Sequence, residues 1–132
     1  MEKLDSPKLS DVKIEDRFWS RYIILVREKM LPYQWEVLND RVNDAAKSHC
    51  IENFKIAAKE STGKYYGMVF QDTDVAKWLE ALAYSLEGEK NGELEKEADE
   101  VIDLIGRAQQ QDGYLDTYYT IQEPLGRWSN LR

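Results

Sequence analysis

Cysteine and histidine are almost absent from this 132-residue sequence, which contains one of each, Cys50 and His49. A single cysteine cannot form an internal disulfide, and one cysteine with one histidine gives too few soft ligands for a zinc site. We therefore predict no cofactor or metal held by this chain, and a structural role for the His49–Cys50 pair. Three prolines and seven glycines also leave no room for a flexible linker, so one segment with one core is expected over residues 1–132.

Positive charge and long apolar runs are also scarce. Lysine and arginine total 18 against 25 acidic residues, a net charge of −7, which disfavours binding to a phosphate backbone. The longest purely apolar run, residues 23–26, is far too short to span a membrane, and residues 1–10 lack the apolar core of a secretion signal. We expect no nucleic-acid or membrane partner and a cytoplasmic location.

What the sequence does contain is the apolar spacing typical of helices. We predict a first helix that Asp16 caps and Pro32 breaks or restarts, a second that runs on to Ala45, and a short third one that stops near residues 61–63. The apolar positions of the three are Trp19, Tyr22, Ile23, Val26 and Met30, then Trp35, Leu38, Val42 and Ala45, then Ile51, Phe54, Ala57 and Ala58.

The strongest periodicity predicts helices over residues 73–87 and 93–109. Asp72 or Thr73 is the expected N-cap of the first helix, and Asn91 that of the second. The loop between them is short, so the two should form an antiparallel αα-hairpin. A short irregular or β turn is expected near residues 111–120, with irregular ends at 1–15 and 123–132. The predicted fold class is all-α.

Several predicted helices are apolar on more than one face. Trp78, Tyr84 and Leu104 lie off the main stripes, as do Ile24 and Leu25. Helices of this kind need neighbours on both sides. Two interpretations remain open: a compact bundle that satisfies every face internally, or a piece of a larger helical body.

Two non-helical stretches combine amide, carboxylate and aromatic groups, which carbohydrate sites use to bind hydroxyls and to stack on sugar rings. In the first stretch, Gln71, Asp72 and Asp74 follow Phe70 at a helix start, and in the second, Asp112 and Tyr114 follow three glutamines. The alternative is purely structural: the two carboxylates near residue 73 are helix caps, and Asp112-Gly113 is a packed hairpin turn.

Four blocks of the sequence, in order, resemble the N-terminal part of glycoside hydrolase family 127, the β-L-arabinofuranosidase family. They are FWSRYIILVREKMLPYQWEVLND, NFKIAAKE, YYGMVFQDTDVAKWLEALAYSL and VIDLIGRAQQQDGYLDTYYTI. The resemblance runs from about residue 12 to residue 121 and implies the first αα-hairpins of an (α/α)6 barrel.

The resemblance also implies an activity for a full-length parent, which is hydrolysis of β-linked L-arabinofuranosides with retention. Family members use a zinc-held cysteine thiolate and a glutamate for proton transfer, and none of the matched blocks contains them. We therefore expect zinc in the parent, no catalytic residue in this chain and no activity of the chain alone. The expected carbohydrate-binding residues are Phe70, Gln71, Asp72, Asp74, Asp112 and Tyr114.

Two other readings remain. The chain could be a stand-alone helical interaction module that self-associates through exposed apolar helix faces. It could also be a non-catalytic sugar binder, which would rest only on Gln71, Asp72, Asp74 and Tyr114.

Overall fold

A computed structural model describes residues 7–127, and every regular element in that range is helical. The helices are α1 (Trp19–Leu25), α2 (Leu31–Leu38), α3 (Cys50–Ala57), α4 (Asp72–Gly88), α5 (Gly92–Ala108) and α6 (Thr117–Ile121). A π-helical turn, Val26–Met30, joins α1 to α2, and short 3₁₀ turns lie at Leu9–Asp11 and Pro124–Gly126. The all-α fold class is confirmed. The outermost parts of the predicted irregular ends lie outside the described residues.

The first helical stretch begins as predicted, and a second α-helix starts at Leu31, directly before Pro32. The Asp16 carboxylate accepts hydrogen bonds from the backbone N–H groups of Phe18 (2.7 Å) and Trp19 (2.5 Å). Pro32 then lies in the first turn of α2, directly after the π-helical turn. Proline lacks an N–H and its ring clashes with the carbonyl four residues earlier, so the wider π turn lets the chain continue without a break. Pro32 therefore restarts the helix, which is one of the two outcomes predicted for it.

The second helix is shorter than predicted. It ends at Leu38, so Val42 and Ala45 lie beyond it. Asp40 adopts a left-handed backbone conformation, with φ of 60°, and its carboxylate accepts a hydrogen bond from the N–H of Ser48 (2.6 Å). This local bond organises a loop where apolar spacing alone predicted a helix.

The long hairpin is present where it was predicted. Only residues 89–91 separate α4 from α5, and Asn91 caps α5 by accepting hydrogen bonds from the N–H groups of Glu93 (3.1 Å) and Leu94 (3.2 Å). The two helices contact each other, and α3 packs against both of them and against α6.

One local prediction near the hairpin is wrong and one holds in part. Neither Asp72 nor Thr73 caps α4, because the Asp72 carboxylate binds Thr117 instead and the Thr73 hydroxyl donates to the carbonyl of Phe70 (2.8 Å). The segment near residues 111–120 contains the predicted turn, in which the N–H of Gly113 donates to the carbonyl of Gln110 (2.8 Å). Its second half is α6, which Asp116 caps through the N–H of Tyr119 (3.0 Å).

The core lies where α2, α3, α4 and α5 meet. The rings of Trp35 and Trp78 stack with centroids 4.8 Å apart, and the Trp78 indole N–H donates to the carbonyl of Leu31 (3.1 Å). The buried apolar residues are Leu31, Trp35, Leu38, Cys50, Ile51, Phe54, Ala57, Val75, Trp78, Leu82, Leu94, Val101, Leu104 and Ala108.

Helix α1 contributes nothing to this core, and all its large apolar side chains are exposed. Within residues 7–127, no helix is both long enough and apolar enough to cross a membrane.

Candidate functional site

The two candidate stretches are joined through Asp72. Its carboxylate accepts a hydrogen bond from the backbone N–H of Thr117 (2.7 Å) and another from the Thr117 hydroxyl (2.5 Å). Thr117 is only 1% exposed and follows the Asp112–Tyr114 turn by three residues. The start of α4 and the chain leaving the turn are therefore held together, as a shared site requires.

Three titratable groups around this junction have raised pKa values. Burial is the largest cause of the raised pKa of Asp72, and the two hydrogen bonds from Thr117 lower that pKa in part. Burial also raises the pKa of Tyr65 to about 12, with a further contribution from the Asp72 carboxylate. Burial is also the largest cause of the raised pKa of Tyr114. The negative charge of Asp116 adds to the shift of all three groups, so the region is acidic and partly desolvated.

The side chain of Gln71 forms hydrogen bonds inside the protein, one of them to the turn that precedes it. Its amide nitrogen donates to the Cys50 sulfur (3.3 Å), and its amide oxygen accepts from the N–H of Met68 (3.4 Å). Gly67 has φ of +106°, and a Cβ there would lie 2.7 Å from the Gln71 amide oxygen. The turn therefore needs glycine at position 67, both for its backbone conformation and for the close approach of Gln71.

Phe70 and Asp74 are the accessible members of the first stretch. The Phe70 side chain is 58% exposed, and the carboxylate of Asp74 is half exposed in an ion pair with Lys77 (3.2 Å). An open aromatic ring can stack on the C–H face of a sugar, and an exposed carboxylate can accept a hydrogen bond from a sugar hydroxyl.

The second stretch is braced by Arg127. One guanidinium nitrogen lies 2.8 Å from both carboxylate oxygens of Asp112, and the guanidinium carbon lies 4.7 Å from the centre of the Tyr114 ring. Asp112 also accepts a hydrogen bond from the N–H of Tyr114 (3.2 Å), so the turn is rigid rather than an open loop.

Sequence reasoning did not identify three residues of this region: Tyr65, Thr117 and Arg127. The Tyr65 hydroxyl donates to the Met68 carbonyl, and its ring packs edge-on against Tyr118, with centroids 5.1 Å apart. Each of the three acts through a residue distant in the sequence or through a backbone group, and no local pattern marks such a contact.

The described residues do not fit a zinc site. No group of three or more histidine, cysteine, aspartate or glutamate side chains in residues 7–127 could hold a metal ion. Cys50 is fully buried, burial raises the pKa of its thiol, and its sulfur interacts with Gln71. Zinc binds the thiolate form, which this environment disfavours.

The packed αα-hairpin of α4 and α5, with polar and aromatic turns near its ends, defines the chain as a segment of an all-α protein. The family model described as "Beta-L-arabinofuranosidase, GH127 catalytic domain" matches residues 11–131. The chain belongs to glycoside hydrolase family 127, which confirms the family resemblance and the N-terminal (α/α)6-barrel assignment.

Relatives support this at the levels of sequence and structure. The non-reducing end β-L-arabinofuranosidase of Bifidobacterium longum subsp. longum is 42% identical over 91% of this chain. A crystal structure of a GH127 β-L-arabinofuranosidase from Geobacillus stearothermophilus T6 is 66% identical, with a TM-score of 0.88 over 90% of the chain. A further GH127 β-arabinofuranosidase structure is 34% identical, with a TM-score of 0.74 over 85% of the chain.

The matched region is a small part of each relative. It covers 20% of the Bifidobacterium protein, 19% of the Geobacillus chain and 17% of the third protein. The chain thus spans about a fifth of the length of the relatives that it matches.

Proposed function

We propose that this chain forms the first αα-hairpins of the catalytic barrel of a β-L-arabinofuranosidase. In the full-length enzyme the reaction is hydrolysis of a β-linked L-arabinofuranoside with retention. The observation that carries the proposal is the match to the Geobacillus enzyme, at 66% identity and a TM-score of 0.88 over 90% of this chain.

The contribution of this segment is substrate binding rather than bond cleavage. Phe70 and Asp74 are exposed beside a rigid turn and are available to a sugar. Asp72 and Gln71 are engaged inside the protein, so they hold the turn that presents Phe70. Tyr114 and Asp112 form a second wall, which the contact with Arg127 fixes in place.

The catalytic groups are proposed to lie in the rest of the enzyme. The family resemblance implies a cysteine thiolate held at zinc and a glutamate for proton transfer, and the described residues offer no zinc site. No chemical step is assigned to Cys50, which is fully buried and interacts with Gln71.

A chimeric enzyme tests this proposal. Residues 11–131 of this chain replace the matching segment of the Geobacillus enzyme, and hydrolysis of an aryl β-L-arabinofuranoside is measured. We expect a folded, active chimera whose kcat/KM falls when Phe70 is changed to alanine. A folded chimera with no activity, or one indifferent to Phe70→Ala and Asp74→Asn, would count against the proposal.

The second candidate is a self-associating helical module, which the family match over residues 11–131 does not favour. Large apolar side chains on α1 and on the 66–70 loop are exposed, which is typical of an interaction surface. Sedimentation of the isolated chain distinguishes the two candidates, because a self-associating module forms a stable oligomer without any other polypeptide.

A further inference from the structure

The loop that presents Phe70 is not held by apolar packing. Every residue from Tyr66 to Phe70 is exposed, so none of these side chains anchors the loop in the core. Its local hydrogen bonds, from the Tyr65 hydroxyl to the Met68 carbonyl and from the Met68 N–H to the Gln71 amide oxygen, give the loop its shape. They do not fix its position on the rest of the chain, because both partners of each bond belong to the same short stretch.

Asn53, in the first turn of α3, supplies an anchor for this loop. Its amide oxygen accepts a hydrogen bond from the backbone N–H of Tyr66 (3.2 Å), and its amide nitrogen donates to the backbone carbonyl of the same residue (2.8 Å). Asn53 is fully buried. Its amide therefore holds Tyr66 firmly, since loss of either bond would leave a buried polar group without a partner.

His49, the residue before α3, holds the side chain of Tyr66. The imidazole and Tyr66 rings pack together, with centroids 4.3 Å apart. Asp40 fixes the histidine in turn, because its carboxylate lies 3.2 Å from the imidazole Nδ1 and accepts hydrogen bonds from the His49 N–H at 3.1 Å to each oxygen. His49 has φ of 54°, a left-handed conformation that few residues other than glycine adopt. Tyr66 is thus held through both its backbone and its ring.

The other end of the loop also contacts α3. The Cys50 thiol lies 3.6 Å from the carbonyl of Gln71, and the Gln71 amide nitrogen donates to the Cys50 sulfur (3.3 Å). Residues 67–70 therefore lie between two anchored residues, Tyr66 and Gln71. The position of Phe70 on the molecule depends on both of them.

We propose that Asn53 and His49 are positioning residues of the sugar-binding site. They act through Tyr66 to fix the loop, so the exposed Phe70 ring is in place before it stacks on a sugar. A loop that is fixed before binding loses less conformational entropy on binding, which favours affinity for the sugar. This role rests on the proposed function, because it takes the stacking contact of Phe70 from there.

A double-mutant cycle in the chimeric enzyme tests this role. Asn53→Ala should lower kcat/KM by about fivefold when Phe70 is present, mainly through a higher KM. In the Phe70→Ala background the same substitution should lower kcat/KM by less than about twofold, because the ring that Asn53 positions is then missing. A role in stability alone would give equal losses in the two backgrounds.

His49→Asn is a second variant, which leaves the buried amide of Asn53 intact. Asparagine tolerates a left-handed backbone conformation, so the substitution removes the ring contact with Tyr66 without new backbone strain. We expect kcat/KM to fall in the same direction as with Asn53→Ala, and again only when Phe70 is present.

Asn91→Ala is the matched control. It also removes an asparagine side chain that bonds to backbone groups, here as the N-cap of α5. Asn91 follows the far end of α4, whose 17 residues make it about 25 Å long, whereas the Phe70 loop precedes the near end. The control should lower the melting temperature and leave kcat/KM unchanged.

Amide exchange in this chain tests the anchor without any sugar. The Met68 N–H bonds to Gln71 and not to Asn53, so its exchange reports on the loop as a whole. Asn53→Ala should speed exchange at Met68 by about tenfold more than it speeds exchange in α5.

Two results would overturn the positioning role alone. One is exchange at Met68 that rises no more than exchange in α5. The other is a loss of kcat/KM with Asn53→Ala and His49→Asn that is the same with and without Phe70, or no loss at all. A folded chimera that is inactive, or that is indifferent to Phe70→Ala, would instead contradict the proposed function and this role with it.

Discussion

Asp72 and Thr117 are 45 residues apart in the sequence and are joined by two hydrogen bonds to one carboxylate, at 2.7 Å from the backbone N–H and 2.5 Å from the hydroxyl of Thr117. This contact ties the start of α4 to the start of α6. It also brings the two candidate stretches together, because Asp72 belongs to the first and Thr117 follows the Asp112–Tyr114 turn by three residues.

Removal of the Asp72 carboxylate should therefore destabilise the chain. Asp72→Ala leaves the buried N–H and hydroxyl of Thr117 without their partner, which costs about 1–3 kcal/mol of the free energy of unfolding. Asp74→Asn is the control, because the exposed ion pair of Asp74 with Lys77 is worth no more than about 1 kcal/mol. Urea unfolding of both variants measures the difference, and equal costs would contradict the structural role of Asp72.

The Asp72 contribution should also depend on pH. Burial raises the pKa of Asp72 in the folded state above its ordinary value of 3.8. The unfolded state then loses its proton first as the pH rises, so stabilisation linked to the protonated form is lost as the pH passes through the folded pKa. We expect the stability of the unsubstituted chain relative to Asp72→Asn to fall as the pH rises from 3.8 through the folded-state pKa of Asp72. A difference that rises over this range would contradict the shift.

Alanine substitutions at two glycines should change the stability of the chain in opposite directions. Gly67→Ala should destabilise the chain, because φ is +106° there and the new Cβ would meet the Gln71 amide oxygen at 2.7 Å. Gly106→Ala should stabilise it by about 0.5–1 kcal/mol, since Gly106 lies inside α5 and a Cβ there meets nothing within 4 Å. Thermal melting tests both, and stabilisation by Gly67→Ala would contradict the account of this turn.

The isolated chain should not hydrolyse aryl β-L-arabinofuranosides above background. The family resemblance implies that the thiolate, its zinc ligands and the acid/base group lie elsewhere in the enzyme. The assay uses purified chain with added zinc and thiol. Zinc-dependent turnover that survives repeated purification would show that this segment contains catalytic groups.

Local signals predicted part of this structure well. The apolar periodicity of α4 and α5 and the side chain of Asn91 were sufficient to place the hairpin and its second cap. These features depend on neighbours within a few residues. Periodicity alone left two interpretations open, a compact bundle or a piece of a larger helical body. The sequence blocks that resemble family 127 indicated the barrel.

Contacts distant in sequence account for what was missed. An aspartate at a helix start favours capping, but the Asp72 carboxylate is bound by Thr117, which no local pattern marks. The sugar-binding role of Gln71 stays a prediction, but the hydrogen bond from its amide to Cys50, 21 residues earlier, is a contact that no local pattern marks either.

The central claim is that this segment supplies sugar-binding side chains to a β-L-arabinofuranosidase. The most direct test compares kcat/KM and melting temperature in the chimeric enzyme for Phe70→Ala and Asp74→Asn, two side chains that are exposed in this structure. We predict that kcat/KM falls by about tenfold or more, the cost of a lost hydrogen bond or stacking contact, while the melting temperature barely changes. An active chimera whose kcat/KM is unchanged by both substitutions would contradict the claim.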